Sequence, residues 1–357
     1  MTLTEGSSAD MLYTTDDNDG AVAEADNRDG VTPPTGHQPA ARTRWWRLIV
    51  VTATITAAVV LGGLGFGLWS VLSAANQVSR VDTFRAIPEA SRAPAAFTHA
   101  RNFLVLGADS DGAGGGRSDS IVLVHLPADR KSAQVISIPR DTWVPVPATA
   151  NGRGGVNAKI NAAFAWGGTS LMVRTVEAFT RVRIDHVAVI DFAGFPRIID
   201  ALGGVDITVE KAFTTPARNY SAGLQHMNGL VALDYARQRH PFADGDFARM
   251  RHQREIIAAM VDAANKQGLL TDPARLSKVI RATAGAVQVD ENLSLFDLVW
   301  SLRNLRKGDL RMLTSPSAGT GMVGNQSVVF SSTPAAGQLF EAVRTDKMDA
   351  WLAAHPT

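Results

Sequence analysis

The feature that most constrains this chain is a stretch without any charged side chain, which runs from Leu48 to Ser79. Its apolar centre, Leu48 to Leu72, extends about 37 Å as an α-helix, and the hydrocarbon core of a bilayer is about 30 Å thick. A cleaved signal peptide is shorter and ends in a small-residue cleavage site. We therefore predict a transmembrane helix at residues 45–72. Three tryptophans suited to membrane interfaces lie near its ends: Trp45, Trp46 and Trp69.

The residues before this span form an acidic tail, with eight acidic side chains and one arginine among the first forty residues. A segment with so little apolar surface cannot offset the entropy lost on ordering, so we predict that residues 1–44 are disordered. Arg42, Arg44 and Arg47 cluster more tightly beside the span than the basic residues after it. The positive-inside rule then places the tail in the cytoplasm and the rest of the chain outside the membrane.

The rest of the span and its exit are less informative. Gly63 and Gly67 form a small-xxx-small pair that permits weak dimerisation through the transmembrane helix, although such pairs also occur in alanine-rich spans that do not associate. Residues 73–99 are expected to be an extracytoplasmic linker that leads to a domain at residues 100–357.

From residue 100 onward, short apolar runs alternate with helical patterns. This alternation favours an α/β domain with a central mixed sheet flanked by helices in three layers. The predicted strands are Asn102–Leu106, Ile121–Leu126, Gln134–Ile138, His186–Asp191 and Val205–Val209. The predicted helices are Ala158–Trp166, Thr169–Phe179, Phe195–Leu202 and one that begins after Ser294.

Composition excludes several classes of function. The chain has 35 basic and 34 acidic side chains, a balance that argues against bulk nucleic-acid binding. It has no cysteine, which excludes a disulfide framework, a thiolate zinc site and a cysteine nucleophile. The sequence also lacks the H-E-x-x-H motif of metalloproteases and the G-x-S-x-G motif of serine hydrolases.

The first candidate for chemistry is the glycine-rich loop between Gly107 and Asp119, which follows the first predicted strand. It does not fit a Walker loop, because Asp111 and Arg117 stand where glycine and lysine are needed. The third glycine of the dinucleotide fingerprint would also fall on Arg117. Carboxylates such as Asp109 beside an arginine suit a metal-bridged phosphate, and a surface turn is the alternative.

The second candidate is the turn after the third predicted strand. Pro139 blocks further strand pairing, so Arg140 and Asp141 are presented at the carboxyl end of that strand. Ligands of open α/β sheets gather at such ends. A surface ion pair between the two residues is the alternative interpretation.

The third candidate is a set of arginines in the middle of the domain. Pro241 disfavours helix just before it, so we expect Arg237 and Arg239 to lie in extended chain and to share a face. We expect Asp244 or Asp246 to cap the next helix, on which Arg249 and Gln253 are four residues apart and lie together. Guanidinium groups bind phosphate oxygens in pairs, so the three arginines could clamp a pyrophosphate. A solvated basic surface is the alternative.

These stretches together resemble the LytR–CpsA–Psr family of bacterial envelope proteins, over residues 101–260. The motifs that carry the resemblance lie in the expected order: Asn102–Asp109, Gly116–Ser120, Ser137–Thr142, Lys159–Gly168, Asp200–Val205, Leu224–Gly229, Tyr235–Arg239 and Gly245–Gln253. The glycine insertion before Arg117 is longer than is usual in the family, and the chain ends without the extra C-terminal module of longer members.

The resemblance implies a phosphotransferase outside the membrane, which moves a glycan from a polyprenyl-pyrophosphate carrier onto peptidoglycan and leaves a phosphodiester link. By position, Asp109 and Asp119 would hold Mg²⁺ or Mn²⁺. The expected catalytic residues are Asp109, Asp119, Arg117, Arg140 and Asp141. The residues expected to bind the pyrophosphate are Arg117, Arg140, Arg237, Arg239, Arg249 and Gln253.

Two points stay open on the sequence. The carboxylate that takes the proton from the acceptor hydroxyl is Asp109 or Asp141. The alanine-rich composition and the acidic tail resemble actinobacterial members, for which arabinogalactan would be the donor glycan. The alternative functions are a non-catalytic lipid-pyrophosphate binder or envelope regulator that attenuates transcription, and a lipid pyrophosphatase.

Overall fold

The computed structural model describes residues 52–56, 58–60, 67, 69–95, 98–108, 116, 118–238, 245–269 and 271–355. The chain divides into two units, residues 1–58 and 59–357. In the first unit the described residues, 52–56 and 58, are helical. The predicted tail, most of the predicted span and Gly63 lie outside the described residues. Within the residues that are described, no helix has the length and apolarity needed to cross a membrane.

The second unit is built from strands and helices that alternate along the chain. In chain order its strands are β1 Ser79–Val81, β2 Arg101–Ala108, β3 Ser118–Leu126, β4 Ala133–Ser137, β5 Trp143–Val146, β6 Val156–Lys159, β7 His186–Asp191, β8 Val205–Val209, β9 Phe213–Thr214, β10 Asn219–Tyr220, β11 Gly223–Met227, β12 Val287–Asp290, β13 Leu310–Thr314, β14 Ser317–Val323 and β15 Gln326–Ser331. Its helices are α1 Ala162–Thr180, α2 Phe195–Ala201, α3 Gly229–Arg237, α4 Asp246–Lys266, α5 Pro273–Thr283, α6 Leu295–Leu302, α7 Thr333–Arg344 and α8 Met348–Ala354.

Seven of these strands form the central sheet, in the order β1-β12-β7-β2-β3-β4-β13. The pairs β2–β7, β4–β13 and β1–β12 are parallel, and β2–β3, β3–β4 and β7–β12 are antiparallel. The sheet is therefore mixed, as the sequence predicts. Smaller two-stranded pairs, among them β5–β6 and β14–β15, surround it.

The middle strands of the sheet are covered on both faces. Leu104 and Leu106 of β2 are fully buried in the main core, where they pack with residues of α1, α7 and α8. Side chains alternate along a strand, so Val105 and Gly107 point to the opposite face, where they line a cavity roofed by α3 and α4. Helices on both faces explain why β2 to β4 read as almost continuous apolar runs.

The domain begins earlier than the sequence predicts. Residues 79–81, assigned to a linker, form strand β1 and pair with β12 at the edge of the central sheet. Farther along the same segment, the guanidinium of Arg92 pairs with the buried carboxylate of Glu177 on α1 at 2.8 Å. The sequence does not predict this strand, because β1 has only three residues, too few for a period-two pattern to be recognised.

The predicted helix at residues 158–166 is also corrected. Residues 156–159 are strand β6, which pairs with β5, and helix α1 starts at Ala162. The α1 backbone is non-helical at Gly167 and Gly168, and Gly168 has a φ of 60° that favours glycine. One kinked helix therefore covers what the sequence divides into two.

Candidate active site

An apolar cavity of about 670 Å³ lies between the central sheet and helices α3 and α4. One wall is the face of the sheet that lies opposite the main core, and the other wall is formed by side chains that project from the two helices. The apolar residues that line it are Val105, Val122, Val124, Ile190, Phe192, Phe195, Leu233, Ala236, Ile256, Ile257, Met260 and Val261. Such a lining suits a flexible hydrocarbon chain.

Charged and polar side chains line the same cavity. Five of them are residues predicted from the sequence, namely Asp119, Arg140, Arg237, Arg249 and Gln253, and Ser120 lies among them. The fold thus brings together residues that are up to 134 positions apart in the chain, from position 119 to position 253. Asp109, Arg117 and Arg239 lie outside the described residues, so their places in the site stay predictions.

Asp119 is placed by a β-bulge between β2 and β3. Gly107 pairs with Ser120 and Ala108 pairs with Ser118, so Asp119 is the extra residue of the bulge. Bulges next to active sites redirect a side chain, and here Asp119 lines the cavity instead of continuing the ladder. A Cβ atom at position 107 would lie 3.0 Å from Cβ of Ser120 and 3.1 Å from the Phe192 ring, so a larger residue here would have to displace these two side chains by a few tenths of an ångström.

Arg140 is placed by the turn that ends β4. The strand stops at Ser137, and after Pro139 the backbone N–H of Thr142 donates to the Pro139 carbonyl at 3.0 Å. The Arg140 guanidinium forms an ion pair with the carboxylate of Asp119, and its Nε lies 3.7 Å from that of Asp141. The main partner of Arg140 is therefore Asp119, on the other side of the site. The alternative interpretation, a simple surface ion pair between Arg140 and Asp141, does not account for this contact.

Arg249 completes this charged cluster from helix α4. It is buried, with 7% of its surface exposed, and its Nη2 donates to the backbone carbonyl of Asp119 at 3.3 Å. Gln253 lies one turn farther along the same helix and lines the same cavity, as the spacing predicts. The predicted cap is corrected: the N-cap of α4 is Gly245, with a φ of 49°, and it makes no side-chain capping bond.

Arg237 reaches the cavity from the last turn of helix α3, and its guanidinium lies over the Phe192 ring at 5.6 Å. The expectation of an extended backbone at this residue is wrong, because α3 continues through Arg237. Gln238 is the first extended residue, and its side-chain amide donates to the Asp234 carbonyl at 2.9 Å, which satisfies a carbonyl at the helix end. At the other end, Asn228 caps α3 by accepting from the N–H of Val231 at 3.1 Å.

A hydrogen bond between the two helices fixes their spacing. The Tyr235 hydroxyl on α3 donates to Oε2 of Glu255 on α4 at 2.7 Å. Burial is the main cause that raises the pKa of Glu255 above its usual range, and burial together with the Glu255 carboxylate raises that of Tyr235. Since Arg237 and Arg249 lie on these same helices, the bond helps to set the distance between the two guanidinium groups.

A second cavity, of about 960 Å³, adjoins the first and shares Asp119 and Arg140 with it. Its lining is mostly polar and aromatic and comes from β5, β6, α1 and the β14–β15 hairpin. The residues that line it are Gly116, Asp119, Arg140, Asp141, Trp143, Val156, Asn157, Ala158, Lys159, Asn161, Ala162, Ala165, Trp166 and Gln326. The pair Asp119 and Arg140 therefore marks a junction between an apolar and a polar cavity.

Lys159 is not among the predicted site residues, but the fold places it in this second cavity. Its Nζ lies 2.8 Å from the carboxylate of Asp141. The available signal is that Lys159 opens one of the family motifs, three residues before α1 begins at Ala162. For Trp143, which also lines this cavity, the only sequence signal is its position two residues after the candidate residue Asp141.

The junction also bears on the predicted metal. Among the described residues, no group of three or more histidine, aspartate or glutamate side chains could hold a metal ion. Mg²⁺ keeps several waters and binds through one or two carboxylates together with substrate phosphates. Asp119 lies beside arginines that suit a phosphate, so it fits such a small set of protein ligands. Ala108 precedes Asp109 in the chain, and it pairs with Ser118, which precedes Asp119.

Comparison with known protein families and sequences gives matches over most of the chain. The model of the LytR_cpsA_psr family matches residues 73–345. The probable cell wall biosynthesis protein LcpB of Corynebacterium glutamicum is 33% identical over 308 residues, which cover 81% of this chain and 70% of LcpB. The polyisoprenyl-teichoic acid–peptidoglycan teichoic acid transferase TagU of Bacillus cereus is 37% identical over 160 residues, so the match spans about half of TagU (51%) and 45% of this chain.

Solved structures share the fold. Bacillus subtilis TagV superposes with a TM-score of 0.59 and 27% identity, over 70% of this chain and 97% of TagV. The protein gbs0355 of Streptococcus agalactiae superposes with a TM-score of 0.62 over 71% of this chain and 91% of its own. At 21% identity, the second match supports the fold alone.

Proposed function

Because the chain belongs to the LytR_cpsA_psr family, we propose that it is a phosphotransferase that moves a glycan from a polyprenyl-pyrophosphate carrier onto peptidoglycan and leaves a phosphodiester link. The name of TagU describes a transfer of this kind for teichoic acid, from a polyisoprenyl carrier to peptidoglycan. The name of LcpB places that relative in cell wall biosynthesis.

One observation carries the proposal: the apolar cavity has a cluster of guanidinium groups on its wall. A polyprenyl pyrophosphate is a long hydrocarbon with a charged diphosphate at one end. The cavity offers apolar side chains along α4, such as Ile257 and Val261, and the charged side chains of Arg140, Arg237 and Arg249. Both halves of the donor therefore find their chemical complement in one space.

The residues of the cluster would act by position and charge. Phosphoryl transfer asks the protein mainly to hold the reacting groups in line and to neutralise charge that develops on the phosphate oxygens. Arg140 and Arg249 meet around Asp119 at the junction, and Arg237 approaches from α3. We infer that these guanidinium groups bind the diphosphate oxygens, with the Gln253 amide beside them.

We also propose a divalent cation, Mg²⁺ or Mn²⁺, held by Asp119 and Asp109. When bound, it would neutralise charge on the diphosphate. The Asp119 carboxylate is held in place by its ion pair with Arg140. The proton of the acceptor hydroxyl would go to Asp141 or Asp109.

Several finer features belong to the same proposal. The predicted helix at residues 45–72 would anchor the enzyme in the membrane as a single span, with its tail in the cytoplasm and its catalytic domain outside. Such an anchor would bring the domain to its lipid-linked donor. Gly63 and Gly67 would allow weak dimerisation in the membrane. Arabinogalactan is the donor glycan that we propose, because the composition resembles that of actinobacterial members.

The test is a transfer assay with the full-length protein, a labelled lipid-linked glycan, peptidoglycan and Mg²⁺. We expect the label in peptidoglycan through a phosphodiester. The Arg237→Ala variant should lose transfer but keep its thermal unfolding temperature, because this side chain is exposed and lies at a helix end. Tight lipid binding without any product would instead indicate a non-catalytic binder or regulator, and release of phosphate without an acceptor would indicate a pyrophosphatase.

A further inference from the structure

The polar cavity beyond Asp119 and Arg140 is not needed to hold a lipid diphosphate, and we propose that it binds the glycan strand of the acceptor. In this inference, which rests on the proposed function, the junction separates a lipid compartment from a sugar compartment. The acceptor would enter the polar cavity and present a sugar hydroxyl to the phosphorus held at the junction.

The chemistry of the cavity wall favours a carbohydrate. Trp143 and Trp166 supply aromatic surface, against which the apolar C–H face of a pyranose ring can pack. Asn157, Asn161 and Gln326 supply side-chain amides, which donate and accept hydrogen bonds as sugar hydroxyls do. A hydrocarbon chain would leave these amides without partners, so the lining disfavours lipid.

The wall is also firmly connected to the junction. In the β5–β6 pair, Trp143 lies opposite Lys159, and Asn157 is two residues from Lys159 on the same face. The Lys159 ammonium forms its 2.8 Å ion pair with Asp141, next to Arg140 in the chain. The backbone N–H of Asn161 donates to the Arg140 carbonyl at 3.2 Å. A sugar bound here would thus lie at a fixed place relative to the diphosphate.

The geometry of the reaction favours the acceptor as the occupant. In phosphoryl transfer the attacking and leaving oxygens lie roughly in line on opposite sides of phosphorus. The leaving group is polyprenyl phosphate, whose chain lies in the apolar cavity. The attacking hydroxyl must then approach from the other side of the junction, where the polar cavity begins at Asp119 and Arg140.

The transfer forms one bond to phosphorus and breaks another. The acceptor oxygen forms a bond to the phosphorus that carries the donor glycan, and the bond from that phosphorus to the bridging oxygen of the diphosphate breaks. The electron pair of the broken bond leaves with polyprenyl phosphate. The hydroxyl proton passes to a carboxylate, and Asp141 lines the polar cavity through which the hydroxyl arrives.

The experiment compares acceptor and donor kinetics in the full-length protein. The donor is a labelled disaccharide on a prenyl pyrophosphate, and the acceptor probe is a soluble, uncrosslinked oligosaccharide of alternating N-acetylglucosamine and N-acetylmuramic acid. We expect Trp143→Ala to raise the KM for the acceptor about tenfold or more and to leave the KM for the donor within about twofold, since a buried aromatic contact carries a large share of binding energy. Trp143→Phe, which keeps an aromatic ring, should restore most of the acceptor affinity.

Two exposed positions provide a test that does not depend on the packing of Trp143. Gln326→Ala removes an amide that lines the cavity, and Asn325→Ala removes the neighbouring amide, which does not line it. We expect a higher acceptor KM only for the first variant. An unchanged acceptor KM in both Trp143→Ala and Gln326→Ala, or a rise in the donor KM instead, would overturn the inference.

An equilibrium measurement separates this inference from the proposed function. Calorimetric titration of the same oligosaccharide into the wild type and Trp143→Ala needs no donor and no turnover. Binding that is weakened about tenfold in the variant would support the sugar cavity, and equal or absent binding would contradict it. A wild type that binds the oligosaccharide but forms no phosphodiester would leave the cavity assigned and refute the transferase.

Discussion

At the junction, the shape of a charged group matters for phosphate binding as well as its charge, and Arg249 is the clearest example. Its guanidinium is buried against the backbone of Asp119 and lines the apolar cavity. A guanidinium offers several fixed N–H donors to a phosphate, and an ammonium acts as a compact point charge.

We therefore expect Arg249→Lys to lower kcat/KM for the lipid-linked donor by about tenfold or more, although the charge is kept. Steady-state transfer assays measure this, with Arg275→Lys as a matched control, because Arg275 is an exposed arginine that lines neither cavity. Equal kcat/KM values for Arg249→Lys and the wild type would show that only the charge matters.

A buried carboxylate away from the site makes the fold sensitive to acid. Asp290 is fully buried and accepts a hydrogen bond from the Val187 N–H at 2.9 Å, and its Oδ2 lies 3.2 Å from Nδ1 of His186. Burial alone would raise the pKa of Asp290, but the contact with His186 and the backbone N–H groups hold it below its ordinary value. A lowered pKa in the folded state stabilises the fold above the unfolded-state pKa, and this contribution is lost as the pH falls.

We expect Asp290→Asn to reduce the free energy of unfolding by about 2 kcal/mol at neutral pH. The difference from the wild type should shrink as the pH falls below about 4, where the carboxyl is first protonated in the unfolded chain, and should vanish once the pH is below the lowered pKa of the folded state. Denaturant unfolding at a series of pH values measures both quantities. A difference that does not change with pH would mean that the charge of Asp290 does not stabilise the fold.

At the scale of secondary structure, helices α3 and α4 carry two of the arginines and form the roof of the apolar cavity. Their contact at Tyr235 and Glu255 is partly buried, so removing the hydroxyl leaves a carboxylate without this donor. Tyr235→Phe should lower the free energy of unfolding by about 1–3 kcal/mol, and it should also raise the KM for the donor by loosening the spacing of Arg237 and Arg249.

Thermal unfolding and donor kinetics on the same samples check this prediction. Glu255→Gln is the matched variant, because its amide oxygen can still accept from the Tyr235 hydroxyl. It should keep most of the donor affinity. A variant Tyr235→Phe that is less stable but has an unchanged donor KM would limit the bond to a structural role.

Some secondary-structure elements can be predicted from the sequence, and others cannot. The strands at 102–106, 121–126 and 186–191 are recognisable because they are apolar runs bounded by turn residues, and all three lie in the central sheet. Strand β1 was missed because its pairing with β12 is a long-range contact without a local pattern. The extended backbone predicted for Arg237 is wrong, because a proline restricts only the residue directly before it. Here that residue is His240, three positions after Arg237.

For the molecule as a whole, the composition of the site was easier to predict than its shape. Arg140, Arg249 and Gln253 carry the chemistry of phosphate binding in their side chains, and family motifs mark them. The junction of the two cavities depends on the β-bulge at Asp119 and on the β5–β6 pair, which begins at Trp143. Neither feature produces a periodic pattern of apolar residues in the sequence. The division between an apolar and a polar compartment therefore became visible only in the fold.

A binding titration of the full-length protein can compare a short prenyl pyrophosphate with its two halves, the prenyl alcohol and inorganic pyrophosphate. Because the apolar cavity and the arginine cluster form one site, we expect the intact compound to bind at least about a hundredfold more tightly than either half. We also expect Arg140→Ala to remove most of this gain. Equal affinity for the prenyl pyrophosphate and for inorganic pyrophosphate, with no effect of Arg140→Ala, would contradict these expectations.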